Sequence, residues 1–148
     1  MTPAELEAYL HAHIPISREM GVSVLSCDGP GVTLAAPLAP NINHRATLFG
    51  GSASAVAILA AWASLHRAMT GAGVSARLVI QRNTIDYLRP IAGDFTAHCA
   101  GVPDARLAGF LRMLARHGRA RVELTATLRF DGAESARLTG EFVAIRLP

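Results

Sequence analysis

The chain contains no lysine: all 14 basic residues among its 148 are arginines, and the net charge is only +3 with histidine neutral. Arginine without lysine is what a bias toward GC-rich codons produces. The arginines are scattered from Arg18 to Arg146, and no stretch interleaves them with aromatic rings. The alternation of cations and stacking platforms that a single-strand groove needs is therefore missing, and no nucleic-acid partner is expected. Cysteine is scarce as well. Cys27 and Cys99 stand far apart with no CxxC spacing, which excludes a disulfide framework and reads as two reduced, buried thiols. The six histidines lack metal-ligand spacing, so no metal is expected. The N-terminus, Met1-Thr2-Pro3-Ala4-Glu5, has no basic segment followed by an apolar one, and a cytoplasmic location is the expectation. The longest apolar run, Gly50 to Leu65, falls short of the ~20 residues that cross a bilayer, so no membrane association is expected. There is no repeat and no low-complexity linker, and the length suits one domain over 1–148 with a sizeable core.

One more absence organises what is present. No Asp or Glu occurs between Asp28 and Asp86. Inside that interval a polar loop, Asn41-Ile42-Asn43-His44-Arg45-Ala46-Thr47-Leu48-Phe49, feeds Gly50-Gly51-Ser52 and then an alanine-rich segment uncharged until His66 and Arg67. An all-round apolar segment of this length predicts a buried helix from Gly50 to about Met69. Ile58, Trp62, Leu65 and Met69 form a bulky stripe suited to filling a core. Ala53, Ala57, Ala60 and Ser64 form a second stripe that can approach a neighbouring backbone. Glycines at the helix start leave amides at its positive end with no Cβ in the way, a place to polarise a carbonyl or hold an anion. Alternatively, they ease a tight loop-to-helix turn.

Around this helix the patterns are short-range and clear. Thr2, Pro3 and Glu5 spell a capping box for a first helix that Pro15 ends. Val22 to Cys27 and Val32 to Leu38 flank Asp28-Gly29-Pro30-Gly31 as a β-hairpin. Val74 to Leu88 reads as an extended strand, with Val79, Gln81, Asn83, Ile85 and Tyr87 on one face and Leu78, Ile80, Arg82, Thr84 and Asp86 on the other. A strand from Phe95 to Val102 precedes a helix from Asp104 to Gly118, whose Arg112 and Arg116 read as a solvated face or as contacts to an acidic ligand. Ala120 to Phe130 alternates strictly, and Asp131-Gly132 turns it back into Ala136 to Leu147, where shifting apolar parity near Gly140 suggests a bulge. The fold class is α+β, a mainly antiparallel sheet curled round one helix.

The Asn-x-Asn-His loop running into Thr47-Leu48-Phe49-Gly50-Gly51-Ser52, with Ile85-Asp86-Tyr87-Leu88-Arg89-Pro90 downstream, resembles the hotdog-fold thioesterase-like family named after the C-terminal half of YiiD. The likeness runs from Ile14 to the final strand. It implies a hotdog fold, a curved antiparallel sheet wrapped around a long central helix. It also implies homodimers, often paired into dimers of dimers, and acyl-thioester substrates carried on coenzyme A or acyl carrier protein and bound at the dimer interface, with no further cofactor. In related hotdog thioesterases, amides at the helix start polarise the thioester carbonyl and a carboxylate on the central helix activates water or attacks. Carried over, Gly50 and Gly51 match the glycines, and Asn43 matches a polar residue before them. Phe49 stands where a histidine is common, and Ile58 stands where the carboxylate belongs.

Hydrolysis needs an oxyanion donor and a group that orients or deprotonates water. The Gly51 and Ser52 amides are the candidate donors. Asp86 is the candidate carboxylate, reaching across a dimer interface, or else a structural ion-pair partner of Arg82 or Arg89. Asn41, Asn43, Gly50 and Ser54 are candidate substrate contacts. The asparagines could equally close loop turns, and Ser52 could cap the helix. Two functions follow: a thioesterase, or a non-catalytic acyl-thioester binding or regulatory module.

Overall fold

A computed structural model describes residues 1–148. Eleven elements alternate along the chain: α1 (Pro3–His13), α2 (Ile16–Glu19), β1 (Ser23–Ser26), β2 (Val32–Ala36), a 3-10 turn (Ala39–Asn41), α3 (Gly50–Gly71), β3 (Ala76–Tyr87), β4 (Phe95–Cys99), α4 (Asp104–His117), β5 (Arg119–Phe130) and β6 (Ala133–Arg146). The six strands form one antiparallel sheet in the order β1-β2-β4-β5-β6-β3. Its inner face curls round α3, which touches five of the strands. This is the wrapped-helix arrangement that the resemblance implies.

Local chemistry starts and stops the elements. The Thr2 hydroxyl accepts from the Glu5 amide while the Glu5 carboxylate accepts from the Thr2 amide, closing the expected capping box. Ser64 Oγ donates to Pro30 O at 3.0 Å and Arg67 donates to Gly29 O at 3.1 Å, tying the β1–β2 turn to α3. Both cysteines are free and buried. Burial pushes the Cys99 thiol up, and bonds from Gly101 and Ser64 pull it partly back.

The small stripe of α3 lies against the sheet as expected, and the bulky stripe is buried only in its second half. Ala53, Ala57, Ala60 and Ser64 are almost wholly buried, because a sheet that curls this tightly leaves room only for small side chains. Ile58 and Trp62, expected to fill the core, are only half-buried. Leu65 and Met69 of the same stripe are buried as expected.

The bulge also falls elsewhere than expected. From Ala136 to Ile145 β6 pairs with β5 without a break, and Val143 and Ile145 simply face outward. The register shifts lie at Ile80/Arg82, where β3 carries Gln81 as an extra residue, and at Leu128/Arg129, opposite Ser135. The extra residue resets the faces of β3. Asn83, Ile85 and Tyr87 pair with Gly140, Leu138 and Ala136, which continue into Leu124, Ala126 and Leu128 on the inner face. They share that face with Leu78 and Ile80, so the expected face assignment of β3 does not hold across Gln81.

Candidate functional site

The site is built from the loop that precedes α3. Phe49 donates to Asn41 O at 2.8 Å and Leu48 donates to Ile91 O at 2.8 Å, fixing the direction in which the helix starts. Asn43 shapes the loop from inside. Its Oδ1 accepts from the amides of Arg45 and Thr47, and its Nδ2 donates to Thr47 Oγ1 at 2.9 Å. The left-handed backbone of Ala46 completes the turn. Asn41 is buried, and its Nδ2 donates to Met20 O and Pro37 O, both at 2.8 Å. Both asparagines thus hold the loop with their side-chain amides.

The helix begins without a side-chain cap, at Phe49. The first helical bond runs from Ala53 to Phe49 O at 3.0 Å. The amides of Gly50, Gly51 and Ser52 make no hydrogen bond within the protein, so three donors stand at the positive end of a helix of 22 residues that carries no acidic side chain. The Phe49 ring leans over Gly51, where an added Cβ would lie 2.4 Å from Cε2. The tip is nonetheless open. A cavity of about 520 Å³ reaches Gly50 and Gly51, bounded by Thr47 and Leu48, by Tyr87 to Ile91, and by Ser135 and Ala136 at the start of β6.

Tyr87 is the feature that sequence reading missed. Its hydroxyl donates to Gly50 O at 3.0 Å, and the ring borders the cavity. With that proton committed, the lone pairs of Oη remain able to accept from a water or a substrate. Only the bulge at Gln81 turns residue 87 toward α3, and nothing in the local sequence announces it. Arg89 is the single charged residue of the lining.

The other candidates divide. Gly50 and Gly51 lie at the cavity, and Ser52 contributes its amide to the tip rather than a cap. The side chains of Ser52 and Ser54 are half-buried, and neither residue lines the cavity. Asp86 is not brought to the helix tip. In the ladder it stands opposite Arg137 and in line with Thr127 on the outer face of the sheet, exposed, and makes no ion pair. Nor does it pair with Arg82 or Arg89, since the chain's two ion pairs are Arg121–Glu141 and Arg137–Glu134. The lining holds no Asp, Glu or His. No three His, Cys, Asp or Glu residues converge as a metal cage would need, and no helix is long and apolar enough to cross a membrane.

The fold recurs in known proteins. A crystal structure of a protein of unknown function from Chlorobaculum tepidum superposes with a TM-score of 0.94 at 29% identity, covering 99% of this chain and 98% of that one. A "putative thioesterase" from Shewanella oneidensis gives 0.85 at 29% identity, with 97% and 96% covered. A thioesterase from Haemophilus influenzae shares the fold at 12% identity, with a TM-score of 0.76 and 99% and 92% covered. The sequence profile described as "Putative thioesterase (yiiD_Cterm)" matches residues 3–146, nearly the whole chain including the loop, the glycine tip and both flanking strands. The protein therefore belongs to the YiiD C-terminal family of hotdog-fold, thioesterase-like proteins.

Proposed function

We propose that the protein hydrolyses acyl thioesters, with the acyl group delivered on coenzyme A or an acyl carrier protein, and that it works as a homodimer. The observation that carries this is the row of three unbonded amides at Gly50, Gly51 and Ser52 beside a cavity. As water attacks a thioester, negative charge gathers on the carbonyl oxygen. Donors already fixed by a helix stabilise that charge without reorganising, and losing one such donor typically costs ~10²–10³ in rate. Tyr87 Oη can accept from a water held beside the tip. Arg89 suits the phosphate of the carrier arm.

The dimer answers a problem of the fold. β3 is an edge strand of 12 residues that presents one side unpaired, and long bare edges recruit a partner. A second copy added along β3 would wall the open side of α3. Asp86 contributes to hydrolysis only if such an assembly brings it to a neighbouring tip.

The lack of a carboxylate or imidazole in the lining favours one other reading, a module that binds acyl thioesters without turning them over. Thiol release and calorimetry on one sample, with acyl-CoA and acyl-carrier panels, separate the two. Hydrolysis that survives Phe49→Ala and falls on Gly51→Pro supports the enzyme, because proline is tolerated in a first helical turn while deleting one amide. Tight binding without thiol release supports the module, and neither binding nor release overturns both.

A further inference from the structure

We infer that Trp62 is the floor of an acyl-chain channel, and that it restricts the protein to medium-length chains of about eight to ten carbons. This rests on the thioester reading above and adds the substrate class. A second cavity, of about 260 Å³, lies on the open side of α3, and every residue that lines it is apolar. Ile14, Ile16 and Met20 form one wall, and Ala55, Ile58 and Trp62 form the other. Its helix wall starts at Ala55, one turn beyond Gly51 and on the same side of α3.

Two lengths set the number of carbons. At 1.5 Å per residue, Trp62 lies about 16 Å along the axis from Gly51, and the Ile58–Leu59 level about 11 Å. A fully extended chain advances roughly 1.1 Å per bond, as the reach of a polypeptide shows. About ten bonds therefore bring a chain from the tip to the Ile58–Leu59 level and about fifteen to the level of the Trp62 backbone; the shorter figure applies because helical side chains lean back over the turn before their own Cα, which sets the indole over the Ile58–Leu59 level.

The floor is fixed. Trp62 Nε1 donates to Leu78 O at 3.0 Å. Its ring stacks on His66 with centroids 4.8 Å apart and planes 9° apart, and His66 stacks on Tyr9 at 4.6 Å. Swinging the indole aside would break the bond to Leu78 O and its stack on His66 at once.

The test is kcat/KM over saturated acyl-CoA from four to sixteen carbons, with calorimetry on the same panel. In the native protein each added methylene should raise kcat/KM about fourfold up to the eight-to-ten-carbon limit, with a fall of at least tenfold by fourteen carbons. Trp62→Ala should move the optimum at least two carbons longer. Trp62→Phe keeps a ring in place and should leave the optimum where it is. Should Trp62→Ala fail to fold, Ala55→Leu, at a half-buried position, narrows the channel and should move the optimum shorter. Hydrolysis or binding that ignores chain length, or an optimum that neither variant moves, overturns the channel and leaves the thioester reading standing. If no acyl-CoA is hydrolysed, the chain-length profile of binding judges the channel while the enzymatic reading fails. If none binds, both fail.

Discussion

The two sides of α3 share one backbone but do opposite work. The side formed by Ala53, Ala57, Ala60 and Ser64 is sealed against the sheet, and its side chains are small because the curl of the strands leaves no more space. The other, running from Gly51 through Ala55 and Ile58 to Trp62, borders two cavities and is covered only in part. Stability depends on the first side and recognition on the second, so substitutions one turn apart should report different properties.

The largest effect is expected at the open tip. Gly51→Pro removes one of three amides and should lower kcat by about 10²–10³, the typical cost of one oxyanion donor, with little change in KM. The new Cβ must push the exposed Phe49 ring aside, so the midpoint of urea unfolding is compared with that of Phe49→Ala and should differ from it only slightly. A variant that unfolds or hydrolyses normally would separate the glycine tip from the chemistry.

Next comes the sealed side. Ala60→Leu forces a branched side chain into a fully buried position and should cost about 1–3 kcal/mol by overpacking. The same change at the half-buried Ala55 should cost well under 1 kcal/mol, as surface substitutions usually do. Equal losses in urea titrations would show that both sides are packed and would remove the contrast.

How much of this contrast can be read from the sequence depends on distance along the chain. The capping box at Thr2, the alternation of Ala120 to Phe130 and the uncharged run after Gly50 are signals of a few residues, and each appears in the structure as the pattern predicts. The small stripe of α3 announces a close neighbouring backbone and finds it in the sheet, whereas the half-buried state of Ile58 and Trp62 depends on how far the sheet curls, which no residue within α3 encodes. The two asparagines look like ligand contacts in sequence, but their side-chain amides are engaged by Met20, Pro37, Thr47 and Leu48. Asp86 is the candidate carboxylate from its place on the strand just before Tyr87-Leu88-Arg89-Pro90, where it could project across a dimer interface. In a strand that nearness places the two on opposite faces, and it is Tyr87 that reaches the tip.

Tyr87→Phe sharpens that last point at a smaller scale. It deletes the bond to Gly50 O and the oxygen facing the cavity, and the helix start keeps its amides. A net hydrogen bond is worth about 0.5–1.5 kcal/mol, so kcat should fall about tenfold or less. If the rate is unchanged while Gly51→Pro is slow, the tip works without the hydroxyl and Tyr87 is only a wall.

The smallest effect separates the far end of the open side from the tip. Burial chiefly, and the nearby His13 secondarily, hold the pKa of His66 below its ordinary 6.5. The unfolded chain takes up a proton near pH 6.5, whereas the folded protein resists until the pH is lower. The unfolded state therefore binds more protons in that window, and stability must fall as pH drops below 6.5. Above it, His66 is neutral in both states and contributes no slope. The same proton would place a charge in the stack of Tyr9, His66 and Trp62 that fixes the indole. Melting temperature followed from pH 7.5 to 5 should decline in the native protein and decline less in His66→Phe, which keeps a ring but cannot titrate. The cavity at the tip is lined by no Asp, Glu or His. Gly51→Pro should accordingly show the native pH slope, and a change in that slope would mean that the two ends of the open side are coupled.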